Sequence, residues 1–338
     1  MMPRNFACRD GACVFALDFL LEVVEKAMRG SGPEAGTGGK ARATGEVTVE
    51  PRRRRRTAAL AAPPGAAAAL RPLLPALALA LALAGAGAAA AGGTGGEGKG
   101  FRDAFDRFDR TRWYVSDGWR NGAWQDCDWS ARAVGLSGGM LRLSYLPGAE
   151  GAGDGGTGGD GAGARCGEVQ SRAAYGYGTY EARLRAVPVP GRVAAFFTYT
   201  GPVRGDPHDE IDIELPGAGG AVATLTAWRD GERRATAEVP APPAAGGFLD
   251  VAFVWAPGRL TWFVDGAPVF RATGAAVPVT PQKIMFSHWG SDAMADWLGR
   301  PAAGGGPSVL EVDFVAFTPL GAPCQWPGSV ACTAAATP

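Results

Sequence analysis

Histidine is scarce, with two in 338 residues, and no cluster of cysteine and histidine has metal-ligand spacing. A zinc enzyme would have little to work with. Net charge is also absent, 33 basic residues balancing 33 acidic ones. That balance favours neither nucleic acid nor an anionic membrane as a partner. No internal repeat is evident, and beyond Phe101 no segment keeps a long helical period. Nor is there an apolar run of the roughly 20 residues a spanning helix needs.

The most apolar piece, Leu73 to Leu83, follows the arginine run Arg52–Arg56 and leads into the small residues Ala84-Gly85-Ala86-Gly87-Ala88. Basic stretch, short apolar core and small residues are the layout of a secretory signal peptide. Residues 1–99 are therefore read as an N-terminal extension and linker, with the signal-like segment at about 52–91. An uncleaved membrane anchor is the alternative. The amphipathic piece Phe15–Met28 carries no chemistry, and Met28 is a candidate internal start. The expectation is a secreted or periplasmic, monomeric protein. In such a protein Cys127 with Cys166, and Cys324 with Cys332, suit disulfides, although spacing alone does not fix the connectivity.

Residues 100–320 read as one all-β domain, and 321–338 as a small disulfide-clipped tail. Met140–Leu146 and Gly178–Val187 alternate apolar and polar residues. Val193–Thr200 is nearly continuously apolar, as for a strand covered on both faces. Leu260–Val264 and Ala267–Arg271 flank Asp265-Gly266, a strong two-residue hairpin signal. Leu310–Phe317 closes the series, and the Gly/Ala/Asp-rich stretch 147–164 reads as a surface loop. Many short strands between Gly/Pro turns argue for a sandwich.

Chemistry concentrates in His208-Asp209-Glu210-Ile211-Asp212-Ile213-Glu214. Strand side chains alternate faces, so Glu210, Asp212 and Glu214 share one face and Ile211 and Ile213 the other. Three neighbouring anions repel, and a strand has no structural reason to align them. Glycosidic cleavage does need paired carboxylates whose pKa values are pushed apart. A solvated edge-strand face with acidic gatekeepers is the plainer alternative.

An ordered series of motifs resembles glycoside hydrolase family 16, most closely its bacterial lichenase (endo-β-1,3-1,4-glucanase) branch. It runs through Phe108-Asp109-Arg110-Thr111-Arg112-Trp113-Tyr114, Ser116-Asp117-Gly118-Trp119-Arg120-Asn121-Gly122, Cys127-Asp128-Trp129 and Cys166-Gly167-Glu168. Tyr175–Glu181, Phe196–Pro202 and the acidic strand follow, then Trp262–Gly266, Pro281–Met285 and Asp296–Gly299. The resemblance implies a concanavalin A-like β-jelly-roll sandwich of two curved antiparallel sheets, one forming an open cleft. It implies a retaining mechanism with Glu210 as nucleophile, Glu214 as acid/base and Asp212 tuning both. Four strand residues separate the two glutamate Cα atoms by about 13 Å, so their side chains must lean inward to the ~5–5.5 Å that retention requires.

The same resemblance pairs Cys127 with Cys166. It places Asn121, Glu168, Tyr199, Trp228, Trp289 and Trp297 along the cleft, where aromatic faces stack on sugars and polar groups bind hydroxyls. His208 is a further candidate to contact sugar or set a carboxylate pKa, a plain strand-entry histidine being the alternative. For each aromatic, core packing is the competing expectation. Asp313 resembles the family's structural calcium ligand, with backbone oxygens completing that site, although a plain outward residue on the last strand would look the same; no cofactor is implied for catalysis. His208 departs from the lichenase pattern, which has Trp there, and looks like the plant xyloglucan transglycosylase/hydrolase branch. Gln170, Thr226 and Ser287 replace the usual Arg or Asn. These departures spare the acidic trio and leave the glucan open.

The leading reading is thus an exported endo-acting β-glucanase cleaving β-1,4 bonds of mixed-linkage glucan. A depolymerase or transglycosylase on an exopolysaccharide or xyloglucan-like glucan is the alternative within the enzyme class. A non-catalytic carbohydrate-binding protein is the alternative outside it, and fold alone would not separate them.

Overall fold

The computed structural model describes residues 99–148, 163–243, 247–302 and 305–332, together with the antiparallel pair β1 (Cys8–Arg9) and β2 (Ala12–Cys13). By its contacts the chain divides into a unit of Met1–Gly30 with Thr94–Pro338 and a unit of Ser31–Gly93. The signal-like segment and most of the glycine-rich loop lie outside the described residues. No helix among the described residues is long and apolar enough to cross a membrane.

Phe101 to Pro319 builds two facing β-layers. The cleft sheet runs β13 (Glu232–Pro240), β12 (Val222–Arg229), β11 (Asp209–Pro216), β10 (Arg192–Thr200), β17 (Lys283–Gly290) and β8 (Ala164–Ser171), edged by β4 (Trp113–Val115). The outer sheet runs β7 (Met140–Leu146), β18 (Ser308–Pro319), β9 (Gly178–Ala186), β14 (Leu249–Ala256), β15 (Arg259–Val264) and β16 (Ala267–Thr273). β3 (Phe101–Asp103) pairs with β18, and β6 (Val134–Ser137) with β7. Every pairing is antiparallel except that of β5 (Cys127–Trp129) with β8.

One core fills the space between the layers, because each strand turns its apolar set inward. Ile211 and Ile213 of β11, Leu225 of β12 and Phe286 of β17 meet Leu184, Phe253, Trp262 and Val312 of the outer sheet, all at most 1 % exposed. Phe196 stacks on Phe286 at 4.9 Å and on Phe253 at 5.8 Å between ring centroids, joining the layers. The Trp262 indole donates to the Asp212 carbonyl at 3.1 Å, tying the acidic strand to the sheet behind it.

Strand β8 belongs to both layers. Its first half, Ala164–Cys166, lies against β5 and β7, and its second half, Gly167–Gln170, against β17. Gly167 sits where the partners change. A Cβ there would come within 2.8 Å of the Ala133 carbonyl oxygen, so glycine is required by close approach. The Cys127–Cys166 disulfide closes this seam, and a second bridge joins Cys324 to Cys332.

Two sequence features resolve differently in character. Asp265 and Gly266 both take positive φ, 48° and 76°, the backbone of a tight hairpin turn. The apolar run at β10 is not covered alike on both faces: Ala194 and Phe196 enter the core, while Phe197 and Tyr199, only half-buried, line the cleft beside the acidic strand. An apolar cleft floor reads in sequence like a buried strand face.

The C-terminal tail docks on the outer sheet. Val330 packs with Ala252, Val254 and Phe263. Ser329 Oγ and the Val330 N–H donate to the buried Glu181 carboxylate at 2.6 and 2.8 Å.

Candidate active site

β11 presents Glu210, Asp212 and Glu214 to the cleft, as alternation requires. Registers on both sides place the neighbours. On β10, Tyr199 lies opposite Glu210 and Phe197 opposite Asp212. On β12, Trp228 lies opposite Glu210, Thr226 opposite Asp212 and Thr224 opposite Glu214. A register shift between Ala227 and Trp228, against β13, falls beside the trio. Such irregularities re-aim side chains next to active sites.

The carboxylates differ in surroundings. Glu210 Oε2 lies 2.7 Å from His208 Nε2. Glu214 has its pKa pushed up to about 8, first by burial and then by the Glu210 charge. Asp212 is raised well above the ordinary range by burial, with Glu210 and Glu214 adding repulsion and the Trp228 indole hydrogen bond opposing them. Burial and like charge both disfavour the ionised form, so Glu214 holds its proton near neutral pH and Asp212 is raised with it.

His208 is sandwiched by aromatic rings. It stacks on Trp228, centroids 5.4 Å apart and planes 15° apart, and meets Tyr199 edge-on at 5.3 Å. Burial lowers its pKa, but the Glu210 hydrogen bond and the charges of Glu210 and Asp209 outweigh that and raise it overall. The chain's other histidine is structural: His288 is buried with Nδ1 2.9 Å from the Val193 carbonyl and Nε2 2.8 Å from Ser308 Oγ.

Glu168 lies on β8, opposite Ser287 of β17. Its carboxyl is buried, receives Ser116 Oγ at 2.5 Å, and is pushed up to about 7 mainly by burial. The Glu210 charge is felt there too, so the two sites are electrostatically linked. Trp297, on the helical turn Ala295–Leu298, donates to Thr224 Oγ1 at 3.1 Å, which brings it to the Glu214 end. Trp289 is 8 % exposed and packs edge-on to Trp124 in a cluster with Trp129, Tyr145 and the disulfide, so most of its surface serves packing. Asn121 accepts from the Trp129 indole at 3.5 Å, and its N–H donates to Gln125, whose side chain reaches the Cys127 carbonyl at the disulfide.

Asp313 does not gather ligands. It sits where β18 bulges against β9, 3.6 Å from the Arg183 guanidinium, and no group of three or more His, Cys, Asp or Glu that could hold a metal occurs among the described residues. Calcium takes about six to eight oxygen ligands, and the Arg183 guanidinium beside Asp313 supplies none of them.

Sequence reasoning passed over two residues that hold the site. Asp209 is fully buried and accepts from the backbone N–H groups of Asp230, Val279 and Thr280, pinning the start of β11 to two loops. Its one signal was a carboxylate on the core-facing phase of the strand. Ser116, which orients Glu168, carried no signal.

The sequence profile of glycosyl hydrolases family 16 matches residues 121–304. This chain belongs to that family. The endo-1,3-1,4-β-glycanase ExoK of Rhizobium meliloti is 42 % identical over 237 residues, covering 69 % of this chain and 84 % of that protein. A Bacillus subtilis β-glucanase is 34 % identical over 220 residues, covering 64 % and 86 %. Among solved structures, the Bacillus licheniformis β-glucanase superposes with a TM-score of 0.59 at 32 % identity, covering 65 % of this chain and 98 % of that one. A lichenase from a mouse hindgut metagenome gives 0.59 at 33 %, covering 66 % and 100 %. The fold is the family 16 β-jelly roll, and the chain is a family 16 endo-β-glucanase acting on a polysaccharide.

Proposed function

We propose that the protein is an exported, retaining endo-β-glucanase that hydrolyses internal β-1,4 bonds of mixed-linkage β-1,3-1,4-glucan. One observation carries the mechanism: along one strand face, Glu214 is held protonated near neutral pH while Glu210 lies against His208. Glu210 attacks the anomeric carbon as Glu214 gives its proton to the departing glycosidic oxygen. A glycosyl ester on Glu210 results. Glu214, now ionised, takes a proton from water, whose oxygen attacks the same carbon and frees Glu210. Two inversions give retention. Asp212, between them, is itself raised by burial and by the charges of Glu210 and Glu214, while burial and the Glu210 charge keep Glu214 protonated. His208 orients the Glu210 carboxylate through the 2.7 Å contact of Nε2 with Oε2.

Two features support export: the basic-then-apolar segment at about 52–91 and two disulfides among the described residues. The mixed-linkage assignment draws on the names of the similar proteins. The test is reducing-end release by the full chain from barley β-glucan, lichenan, laminarin, xyloglucan and agarose, with Glu210→Gln alongside. Cleavage of lichenan and barley glucan but not laminarin, lost in the variant, is expected. Cleavage of laminarin or xyloglucan in preference would overturn the linkage. Full activity in Glu210→Gln would overturn the nucleophile.

A further inference from the structure

The cleft sheet carries a cluster of positive charge that neutral-glucan hydrolysis does not use. Lys283 of β17 lies opposite Tyr199, which lies opposite Glu210, so the three share one row across the floor. Lys283 Nζ donates to Gln170 Oε1 at 3.1 Å, and Arg204 Nη2 donates to the same oxygen at 3.1 Å. Two cations thus converge on one uncharged carbonyl. Arg172 stands close enough that its charge, with that of Arg204, adds to burial in lowering the Lys283 pKa to about 8.

Several arginines elsewhere on the domain are matched, among them Arg120 with Asp128, Arg183 with Asp250, Arg185 with Glu311 and Arg192 with Asp126. Among the described residues Lys283, Arg204 and Arg172 have no carboxylate within ion-pair distance. Asp206, the acid felt by Arg204, already receives the Thr200 hydroxyl at 2.6 Å. Lys283 is half-buried and Arg172 and Arg204 are exposed beside it, so like charges repel there, and neutral sugar hydroxyls are bound as well by amides. An anion entering there would relieve the repulsion and meet a guanidinium fork suited to planar oxyanions.

We propose that the stretch of cleft formed by Lys283, Gln170 and Arg204 is a subsite for an anionic substituent, a carboxylate or a sulfate ester, on the polysaccharide. The proposal deepens the glucanase reading and rests on this cleft being the polysaccharide site. It makes the preferred substrate an acidic glucan and not plain cereal β-glucan.

The test is a tryptophan-fluorescence titration of full-length Glu210→Gln with three soluble polymers: neutral barley β-glucan, the same glucan oxidised at C6 to carboxylate, and its sulfated derivative. At least one anionic polymer should bind about tenfold or more tighter than the neutral one, and added salt should erase the difference. Whichever derivative shows the gain identifies the anion. Arg204→Gln with Lys283→Gln, checked for an unchanged melting temperature, should abolish that gain. Equal affinity for all three polymers, or a gain that survives salt or the double substitution, would overturn the proposal. Binding of the anionic polymers alone would keep the subsite and overturn the plain-glucan assignment. Binding of none would overturn both. The salt series needs no subsite variant, so the proposal stays testable if the double substitution fails to fold.

Discussion

Glu181 and Asp212 are each 5 % exposed, one on the outer sheet and one on the cleft sheet. Burial raises the pKa of both. At Glu181 a hydroxyl and a backbone N–H from the tail oppose the rise. At Asp212 two more carboxylates reinforce it, against a single indole hydrogen bond. A buried acid supplied with donors is a fastening. A buried acid surrounded by other acids holds a proton that can be given away. Burial alone does not separate the two uses; the partners do.

The largest effect that would break this contrast lies in the cleft. Glu214→Gln should lower glucan hydrolysis by about 10⁴-fold, ~5 kcal/mol of barrier, with an unchanged melting temperature. Initial rates and a thermal melt check both halves. A smaller but still large effect lies at the two bridges. Loops of 39 and 8 residues predict losses of about 4 kcal/mol for Cys127–Cys166 and about 2.5 kcal/mol for Cys324–Cys332 on paired Cys→Ser substitution, measured by denaturant unfolding. Reversal of that order would mean the tail matters more to the outer sheet than its short loop suggests.

Glu181→Ala should cost about 1–3 kcal/mol, because it strands the Ser329 hydroxyl and the Val330 N–H, and it should leave kcat intact. A proportionate fall in kcat would erase the distinction between the two acids. A further effect is on pH. Glu214 is raised from 4.5 to about 8, so the native state binds the extra proton between those values. Its contribution to stability is full below about 4.5 and is lost as pH rises through about 8. The melting temperature of the wild type should therefore fall over that interval more steeply than that of Glu214→Gln. Parallel curves would place the proton elsewhere.

Much of this was legible without coordinates. Alternation fixed the faces of β11, and Asp265-Gly266 announced a turn whose two positive φ angles follow from its residues. These signals are local, carried by residues within a few positions of one another. What stayed hidden depends on partners far apart in sequence. Glu181 finds Ser329 at a separation of 148, and Lys283 finds Gln170 at 113. Asp209 shows the same limit: its place in the chain says core, and only the loops at Asp230 and Val279–Thr280 explain how a carboxylate lives there. Asp313 shows it again: nothing near it in sequence announces Arg183, the ion-pair partner it meets.

Because β8 is stitched into both layers, the groove has no independent hinge on that side. Glu168 sits two residues from the bridged Cys166, and Gly167 between them leaves no space for even one methyl group. Widening the groove there would mean tearing a strand from four neighbours at once. A long polymer must therefore bend to the enzyme along this edge, and tolerance for bulkier chains would have to come from the opposite rim, where β13 is the last strand of the sheet among the described residues.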